Sequence, residues 1–309
     1  MRILLASPIH ADAESELRSR HDVVIRIGAP EPELAAAAQD RQAIVFRSGV
    51  SVGRSVLQAP DLRLLVRAGA GLDNLDLETV RQRGIELHRV PGPGAQAVAE
   101  MTFALLLALA RNVVVADRLL RQGRWAKSEL QGHGLKSKTL GVIGLGSIGT
   151  RVAELGQAWG MSVVGCVENW TPERAQQFAA RDIQLMRSCA EVMEVADFVT
   201  LHVPLSSTTR HLIGSDQLRR VKPGAFLVNI ARGGVVDESA LLEALKRGQL
   251  AGAGLDVHER EGEGKVSPLA ELPNVVLTPH IGAGTVDAQR EIGEQVVRII
   301  DSFAPKVSA

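Results

Sequence analysis

The chain has 309 residues, an apolar fraction of 45% and 35 basic against 35 acidic residues. This length favours two packed domains over one, and the balanced charge argues against a nucleic-acid or membrane surface that acts through bulk charge. The two cysteines, Cys166 and Cys189, lie outside any C-x-x-C or Cys/His cluster, which predicts inert core thiols in a reducing cytoplasm, with no disulfide framework and no metal site.

Short apolar runs alternate with helix-compatible stretches through the first third of the chain. The first run is too short for the core of a signal peptide. Alternation of this kind predicts a parallel sheet with helical crossovers. The predicted strands are Ile3–Ala6, Val23–Ile27, Ala43–Phe46, Leu64–Arg67 and Ile85–His88, and the clearest helices are Ala11–Arg20 and Leu75–Arg83.

The segment Val90-Pro-Gly-Pro-Gly94 interrupts this alternation. Two prolines and two glycines in succession disfavour both a helix and a central strand, so we expect a hinge or a domain crossing there. The apolar stretch Met101–Ala110 follows it. Because a membrane span needs roughly 20 such residues, this stretch predicts a buried helix.

A second series of strands occupies the rest of the chain and predicts a second doubly wound unit. Its strands are Leu140–Ile143, Ser162–Val167, Phe198–Leu201, Ala225–Asn229, Gly252–Asp256 and Val275–Leu277. From about Thr285 onward, apolar side chains recur at helical spacing: Ile292, Val296, Ile299 and Phe303. This pattern predicts an amphipathic helix that buries one face, and we expect the helix to return to the first domain.

A glycine-rich turn opens the second series. Gly144, Gly146 and Gly149 form a G-x-G-x-x-G pattern after a predicted strand and before a helix that extends to Trp159. Gly144 permits a tight turn, Gly146 lets the backbone approach a pyrophosphate, and Gly149 lets the helix pack on the strand. Since a further strand follows the helix, the pattern predicts a dinucleotide site rather than an ordinary strand–helix turn.

The cofactor's identity depends on the end of the next strand. An acidic side chain there would hydrogen-bond the adenosine ribose and repel a 2′-phosphate. The acid is Glu168, one position beyond Val167, where it is first expected, and the nearest downstream base is Arg174. The sequence therefore favours NAD and leaves NADP open.

Three polar residues lie at or just past predicted strand ends, namely Arg232, Glu261 and His280. Ligand sites of open α/β sheets collect at those ends, so the three are expected near a nicotinamide. Arg232 suits a carboxylate and a C2 oxygen. His280 can carry a proton to that oxygen, and Glu261 would stabilise the imidazolium. Each residue alone is an ordinary surface or loop residue; their occurrence together favours a catalytic site.

These motifs resemble those of the D-2-hydroxyacid dehydrogenase family, and most closely its phosphoglycerate-dehydrogenase-like branch. The similarity covers nearly the whole chain. The matching segments are Arg47-Ser48, Arg67–Asp76, Val98–Glu100, Gly123–Trp125, the glycine turn, His202–Pro204, Asn229–Glu238, Ala253–Asp256 and Thr278–Thr285.

The resemblance implies an α/β fold of two doubly wound parallel-sheet domains. A Rossmann NAD-binding domain, residues 97–284, is inserted in a flavodoxin-like substrate domain of residues 1–96 and 285–309. The implied activity is D-specific hydride transfer between nicotinamide and C2 of a small 2-hydroxy or 2-oxo acid. The apolar helix after Pro91 corresponds to the family's dimer-forming region, which implies a homodimer.

The resemblance also implies site residues. Arg232, Glu261 and His280 are the catalytic trio, and the backbone amides of Gly69, Ala70 and Gly71 grip the substrate carboxylate. Asp256 is implied to lie near the nicotinamide carboxamide. The residues implied to line the dinucleotide are Gly144, Gly146, Ser147, Ile148, Gly149, Val167, Glu168, Val203, Pro204, Ile230, Ala231, Asp256 and Gly282.

The sequence departs from the family in the loop that bears the catalytic acid. Gly262 follows Glu261 where proline is usual, inside the run Arg260–Lys265, which we expect to be mobile. This leaves Glu259 and Glu263 as alternative partners of His280. Near the hinge, Gly94 replaces a common asparagine, which removes a side-chain contact.

The substrate class remains open at this point. Arg47, followed by Ser48, and Arg67 fall where phosphoglycerate-type members carry cations that face a distal anion, so a phosphate, sulfonate or second carboxylate is implied. The alternative is two solvated strand-end arginines. A hydroxypyruvate or glyoxylate reductase also remains open, whereas Glu261 argues against a formate dehydrogenase, in which glutamine replaces it.

A binding module of a different class shares this fold, namely transcriptional corepressors that sense NAD and retain the trio. Those proteins carry flanking tails, and the sequence given shows none, which favours an enzyme. We also expect no appended regulatory domain after the terminal helix.

Overall fold

The computed structural model describes residues 1–304 and divides the chain into two compact units. The first unit consists of Met1–Ala97 with the segment from Ala283 onward, and the second is Val98–Gly282. Residues 305–309, which the sequence assigns to the first domain, lie outside the described residues. Every strand pair in both units is parallel.

The first unit contains a five-stranded sheet of order β2-β1-β3-β4-β5, which is the flavodoxin-like order. Asp76 caps α4 by accepting the Thr79 N–H at 3.1 Å, and Gly84 ends that helix in the left-handed conformation with φ 62°. The strands are β1 (Arg2–Leu5), β2 (Asp22–Ile25), β3 (Ala43–Phe46), β4 (Leu64–Arg67) and β5 (Glu86–Arg89), and the helices are α1 (Ala11–Arg20), α2 (Glu31–Ala38), α3 (Arg54–Leu57) and α4 (Leu77–Arg83).

The terminal helix packs on this first sheet, as the sequence predicts. It is α12 (Val286–Phe303), and Thr285 caps it by accepting the Ala288 N–H at 3.2 Å. The buried core contains Ile292, Val296, Ile300 and Phe303 of α12 together with Ile3 and Leu5 of β1. Ile300 is fully buried where the sequence pattern pointed to Ile299, which is only partly buried.

The apolar helix is α5 (Gly92–Ala110), and the boundary between the two units falls inside it. The prediction that Pro93 and Gly94 lie outside a helix is wrong. The first helical turn lacks intrahelical partners for its N–H groups and therefore tolerates proline.

By length and composition alone α5 could cross a membrane, with a mean hydropathy of 1.4. Much of it is nevertheless buried in the second unit, as predicted, and the residues that enter that core are Ala99, Phe103, Leu105, Leu106, Leu109 and Ala110.

The second unit contains a seven-stranded sheet of order β12-β11-β10-β9-β6-β7-β8, a Rossmann order extended by one strand. The strands are β6 (Thr139–Ile143), β7 (Ser162–Cys166), β8 (Ile183–Leu185), β9 (Phe198–Leu201), β10 (Ala225–Asn229), β11 (Leu250–Leu255) and β12 (Val275–Leu277). The helices after α5 are α6 (Val113–Arg121), α7 (Ser147–Ala158), α8 (Pro172–Ala179), α9 (Cys189–Val195), α10 (Ser215–Arg219) and α11 (Glu238–Lys246). Of these strands, the sequence reasoning missed β8.

Both cysteines are free thiols. Cys166 ends β7 in the core, where burial raises its pKa to about 12. Burial also raises the pKa of Cys189, the first residue of α9. Because the thiolate is the reactive form, both are chemically quiet.

Candidate active site

The glycine turn joins β6 to α7 beside β9, where the strand order of the second sheet reverses. Gly144 has φ +96°, and a Cβ there would lie 2.6 Å from the carbonyl oxygen of His202. A Cβ on Gly149 would lie 1.9 Å from the Gly144 oxygen, so the helix packs directly on the turn. Gly146, the N-cap of α7, would meet nothing within 4 Å. The space before the helix N-terminus is therefore open to the backbone, which fits a pyrophosphate.

The other residues predicted to line the dinucleotide follow the neighbouring strands. Val203, just after β9, lies against the glycine turn, since its Cγ1 would be 2.8 Å from a Cβ on Gly144. Past β10, Ile230 is buried, and its Cδ1 would be 3.2 Å from a Cβ on Gly282. Past β7, Val167 is half-buried and Glu168 is exposed. The glycine turn and these strand-end residues fit a dinucleotide. The exposed carboxylate of Glu168 lies at the end of β7, where a ribose is expected.

Arg232 lies in a loop after β10 that a buried asparagine shapes. Asn229 is 1% exposed; its Nδ2 donates to the Arg232 carbonyl at 2.9 Å, and its Oδ1 accepts the Ala231 N–H at 3.1 Å. The Arg232 Nη1 donates to the Ala231 carbonyl at 2.7 Å. The half-buried guanidinium is thus fixed at its own strand end, and the sequence reasoning did not identify Asn229 as its support.

His280 lies in a turn after β12 that Asp256 holds from inside. The carboxylate of Asp256, 1% exposed, accepts the Thr278 hydroxyl at 2.6 Å and the N–H groups of Ile281 at 2.9 Å and Gly282 at 2.8 Å. His280 itself has φ +55° and donates its N–H to the Asp256 carbonyl at 2.7 Å. The carboxylate predicted to face a nicotinamide thus uses three hydrogen bonds on this turn.

The structure pairs His280 with Glu261, which lies past β11. The His280 Nδ1 is 2.9 Å and 3.1 Å from the two Glu261 oxygens, and Glu261 Oε1 also accepts the His258 N–H at 3.2 Å. Of the three acids that the sequence left open, Glu259 pairs instead with His211 at 3.1 Å. Because a carboxylate only accepts, Nδ1 carries the proton, which leaves Nε2 as the ring nitrogen available to a reactant.

The electrostatics of this pair favour an ionised acid. Burial raises the pKa of the Glu261 carboxyl, but the hydrogen bond and charge of His280, with the His258 N–H, outweigh it and hold that pKa below its ordinary 4.5. Both side chains keep some solvent exposure, 27% for His280 and 37% for Glu261. The arrangement suits a carboxylate that orients and stabilises an imidazolium.

In the first unit, the predicted carboxylate-binding loop follows β4. Arg67 is only 4% exposed; its Nε donates to the Gly71 carbonyl at 2.8 Å, its Nη1 donates to the Ala68 carbonyl at 3.2 Å, and its guanidinium lies 5.8 Å over the Phe46 ring. The role of Arg67 toward a distal anion stays a prediction, beside these hydrogen bonds within its own loop. Its guanidinium faces the loop that follows it.

The same loop engages one of the three amides expected to hold a carboxylate. The Gly69 N–H donates to the Arg67 carbonyl at 2.8 Å. Within residues 1–304, the N–H groups of Ala70 and Gly71 donate to no protein atom. These two amides are the donors of the loop that remain available to an anion.

Arg47, after β3, differs from Arg67. Its backbone N–H donates to the Ser7 hydroxyl at 2.9 Å, and its carbonyl accepts from Asn74 Nδ2 at 2.9 Å. Its guanidinium has no ion-pair or hydrogen-bond partner in the described part of the chain, and burial lowers its pKa. A half-buried cation without a protein anion is a candidate anion-binding group, beside the exposed Ser48.

Comparison with known proteins identifies the second unit. Residues 103–282 match the profile of the D-isomer specific 2-hydroxyacid dehydrogenase, NAD binding domain. The D-3-phosphoglycerate dehydrogenase of Methanocaldococcus jannaschii is 40% identical over 305 residues, which is 97% of this chain and 57% of that protein. The chain thus spans little more than half the length of that relative.

Two further proteins match along most of their length. The hydroxypyruvate reductase of Thermotoga maritima is 36% identical and is covered to 97% in both chains. The crystal structure of the D-lactate dehydrogenase from Aquifex aeolicus, complexed with NAD and lactic acid, has a TM-score of 0.85 at 29% identity and covers 99% of this chain and 96% of that one. The chain therefore belongs to the D-isomer specific 2-hydroxyacid dehydrogenase family, and its second unit is the NAD-binding domain of that family.

Proposed function

We propose that the protein is an NAD-dependent dehydrogenase that interconverts a small D-2-hydroxy acid and its 2-oxo acid. The observation that carries this proposal is the 2.9 Å pair of His280 and Glu261 at the strand ends of an NAD-binding domain. Dinucleotide binding itself depends on the glycine turn and does not involve an imidazole oriented by a carboxylate. Proton exchange at a substrate oxygen requires that arrangement.

Each residue has a distinct task in this mechanism. During reduction His280 Nε2 donates a proton to the C2 oxygen, and in oxidation it takes that proton back. Glu261 keeps the proton on Nδ1 and stabilises the imidazolium. Arg232 donates to the substrate carboxylate and to the C2 oxygen, which it polarises. The nicotinamide, when bound, supplies or takes up the hydride at C2.

We propose a doubly anionic substrate, with a phosphate, sulfonate or carboxylate in addition to the carboxylate at C1. Arg47 supports this, because a half-buried guanidinium without a partner among residues 1–304 gains most from binding an anion. The amides of Ala70 and Gly71 are proposed to bind the C1 carboxylate. Arg67 supports them from behind through its hydrogen bond to the Gly71 carbonyl.

The test is oxidation of NADH and of NADPH with phosphohydroxypyruvate, sulfopyruvate, hydroxypyruvate, glyoxylate and phenylpyruvate. We expect turnover with NADH and a preference for the doubly anionic acids. Preference for a singly charged acid would exclude the role of Arg47 and favour a hydroxypyruvate or glyoxylate reductase. Tight dinucleotide binding without turnover of any acid would support the NAD-sensing module instead.

We also propose a homodimer formed through α6. This helix and the segment after it leave large apolar side chains exposed, namely Val113 (52%), Val114 (47%), Leu120 (58%) and Trp125 (78%). An apolar face of this kind is typical of a subunit interface. Light scattering should report a dimer for the native chain and for the control Gln122→Glu, and a monomer for Leu120→Glu.

A reducing compartment such as the cytoplasm is proposed from the two free thiols.

A further inference from the structure

A buried carboxylate outside the proposed mechanism holds the loop that bears Glu261. Glu238, the first residue of α11, is only 3% exposed, although glutamate is rarely buried without partners. Its Oε1 accepts the Glu259 N–H at 2.7 Å, and its Oε2 accepts the Ser267 hydroxyl at 3.3 Å. Both partners belong to the loop from His258 to Ser267. The Glu238 carboxylate therefore holds this loop at two points. One is Glu259, two residues before Glu261, and the other is Ser267, at the end of the loop.

The contact is reciprocal. The Glu238 N–H donates to Glu259 Oε1 at 3.3 Å, so each glutamate accepts the backbone N–H of the other. The N–H groups of a first helical turn have no intrahelical acceptor, and a carboxylate at that end is favoured by the helix dipole. His211 Nε2 lies 3.1 Å from the same Glu259 oxygen.

The backbone is also tightly packed at this point. A Cβ on Gly233 would lie 1.9 Å from the His258 carbonyl oxygen and 2.6 Å from the Glu259 nitrogen. The residue after Arg232 therefore touches the peptide that the glutamate pair holds. Any shift of the Glu259 amide must displace this contact.

The loop has little stiffness of its own beyond this anchor. Gly262 and Gly264 adopt φ +122° and +71°, and the loop is exposed from Glu259 to Val266. Glu261 follows the anchored Glu259 amide by two positions, and its Oε1 accepts the N–H of His258, on the other side of that amide. The position of Glu261 against His280 therefore depends on where the Glu259 amide is held.

From this geometry we infer that Glu238 and Glu259 are positioning residues that act through Glu261. Their reciprocal hydrogen bonds, here called the clasp, join its loop to the first turn of α11. The inference rests on the proposed role of the Glu261–His280 pair. In this proposal neither glutamate contacts the substrate or the cofactor. Their contribution is to keep the orienting carboxylate within hydrogen-bond distance of Nδ1.

A double-mutant cycle on kcat tests this directly. Glu238→Leu leaves the Glu259 N–H without its acceptor, and we expect kcat to fall about tenfold or more. Glu238→Gln keeps a carbonyl oxygen for that N–H and should restore most of kcat. In a Glu261→Gln background, Glu238→Leu should have little further effect, because residues that act through one another are not additive. The matched control is Glu243→Leu, an exposed position of the same helix, which should leave kcat unchanged.

The outcomes separate this inference from the proposed function. If Glu261→Gln leaves kcat unchanged, the proposed role of the Glu261–His280 pair fails. Two outcomes overturn the clasp, given that Glu261→Gln lowers kcat. In the first, Glu238→Leu alone leaves kcat unchanged. In the second, Glu238→Leu lowers kcat by the same factor in the Glu261→Gln background as in the native chain. Should Glu238→Leu not fold, Glu259→Ala removes the other half of the clasp at a more exposed position. A smaller loss of kcat, again non-additive with Glu261→Gln, is then expected, because the Glu259 N–H keeps its acceptor on Glu238.

Discussion

Two strand-end loops, one in each unit, are held by buried ionic side chains of opposite charge. After β4, the guanidinium of Arg67 donates to the carbonyls of Ala68 and Gly71. After β12, the carboxylate of Asp256 accepts the N–H groups of Ile281 and Gly282. A buried cation turns carbonyls inward, whereas a buried anion turns amides inward.

This difference determines what each loop can offer a ligand. The loop held by Arg67 keeps the N–H groups of Ala70 and Gly71 available, which suits an anion. The turn held by Asp256 has its amides engaged, and what it presents is the imidazole of His280. The same structural device thus supports the loop that we propose to bind an anion in one unit and the imidazole that we propose to transfer a proton in the other.

Replacing His280 with alanine should remove the imidazole and leave the backbone of the turn after β12 unchanged. A positioned general acid contributes typically ~10²–10⁴-fold to the rate, so kcat should fall by about that factor. The dissociation constant for NADH, measured by fluorescence titration, should stay close to that of the native protein. His88→Ala, at a partly exposed histidine of β5, is the matched control. Undiminished turnover in His280→Ala would remove this residue from the proton path.

Replacing Asp256 with alanine should damage the turn itself. Three donors lose their acceptor, and each unsatisfied buried group costs about 1–3 kcal/mol, so we expect the free energy of unfolding to fall by about 3 kcal/mol or more and kcat to fall with it. Chemical denaturation and steady-state kinetics of the same samples measure both. Asp216→Ala, at an exposed carboxylate, should change neither. If kcat fell while the unfolding midpoint stayed constant, Asp256 would act on the cofactor rather than on the turn.

Replacing Arg67 with methionine should affect every substrate in the same way. The carbonyls of Ala68 and Gly71 lose a buried donor, which should destabilise the chain by about 2 kcal/mol. Because the amides of Ala70 and Gly71 lose their support, KM should rise by a similar factor for singly and doubly charged 2-oxo acids. A rise confined to the doubly charged acids would return Arg67 to the distal-anion role that the sequence implied.

Replacing Arg47 with methionine should have the opposite profile. Its guanidinium has no protein partner in residues 1–304, so its loss should leave the unfolding midpoint unchanged or raise it. KM should rise about tenfold for doubly anionic acids, because one charge-assisted hydrogen bond of about 1.5 kcal/mol is lost. For glyoxylate KM should stay constant. Arg26→Met, at an exposed arginine of the same unit, is the control. An equal rise for glyoxylate would contradict the distal site.

The sequence predicts the parts of this molecule that depend on neighbours along the chain. Gly144 and Gly149 act within one turn, so a local pattern is enough to place them. β8 was missed because a three-residue strand, Ile183–Leu185, carries too few residues for a period to show.

The supporting residues could not be predicted in the same way. Asp256 and Glu238 find their partners more than 20 positions away along the chain. The sequence places Arg67 at a strand end but does not tell which way its guanidinium turns, and here the choice was made by Phe46 and by carbonyls that need a donor. Long-range satisfaction of buried polar groups is what local patterns leave out.

The smallest expected effect concerns the charge of the Glu261–His280 pair. A carboxyl whose pKa is lower in the folded than in the unfolded chain stabilises the fold above its unfolded pKa, and that contribution disappears as the pH falls through the lowered value. For Glu261 the window therefore opens at its ordinary 4.5 and extends downward. Because both side chains are partly solvated, we expect less than about 1 kcal/mol. The difference in thermal midpoint between the native chain and Glu261→Gln should shrink as the pH falls below that value. Glu263→Gln, in the same exposed loop, is the matched control. A Glu261→Gln difference that persisted unchanged at the lowest pH would mean that packing, not charge, joins the two residues.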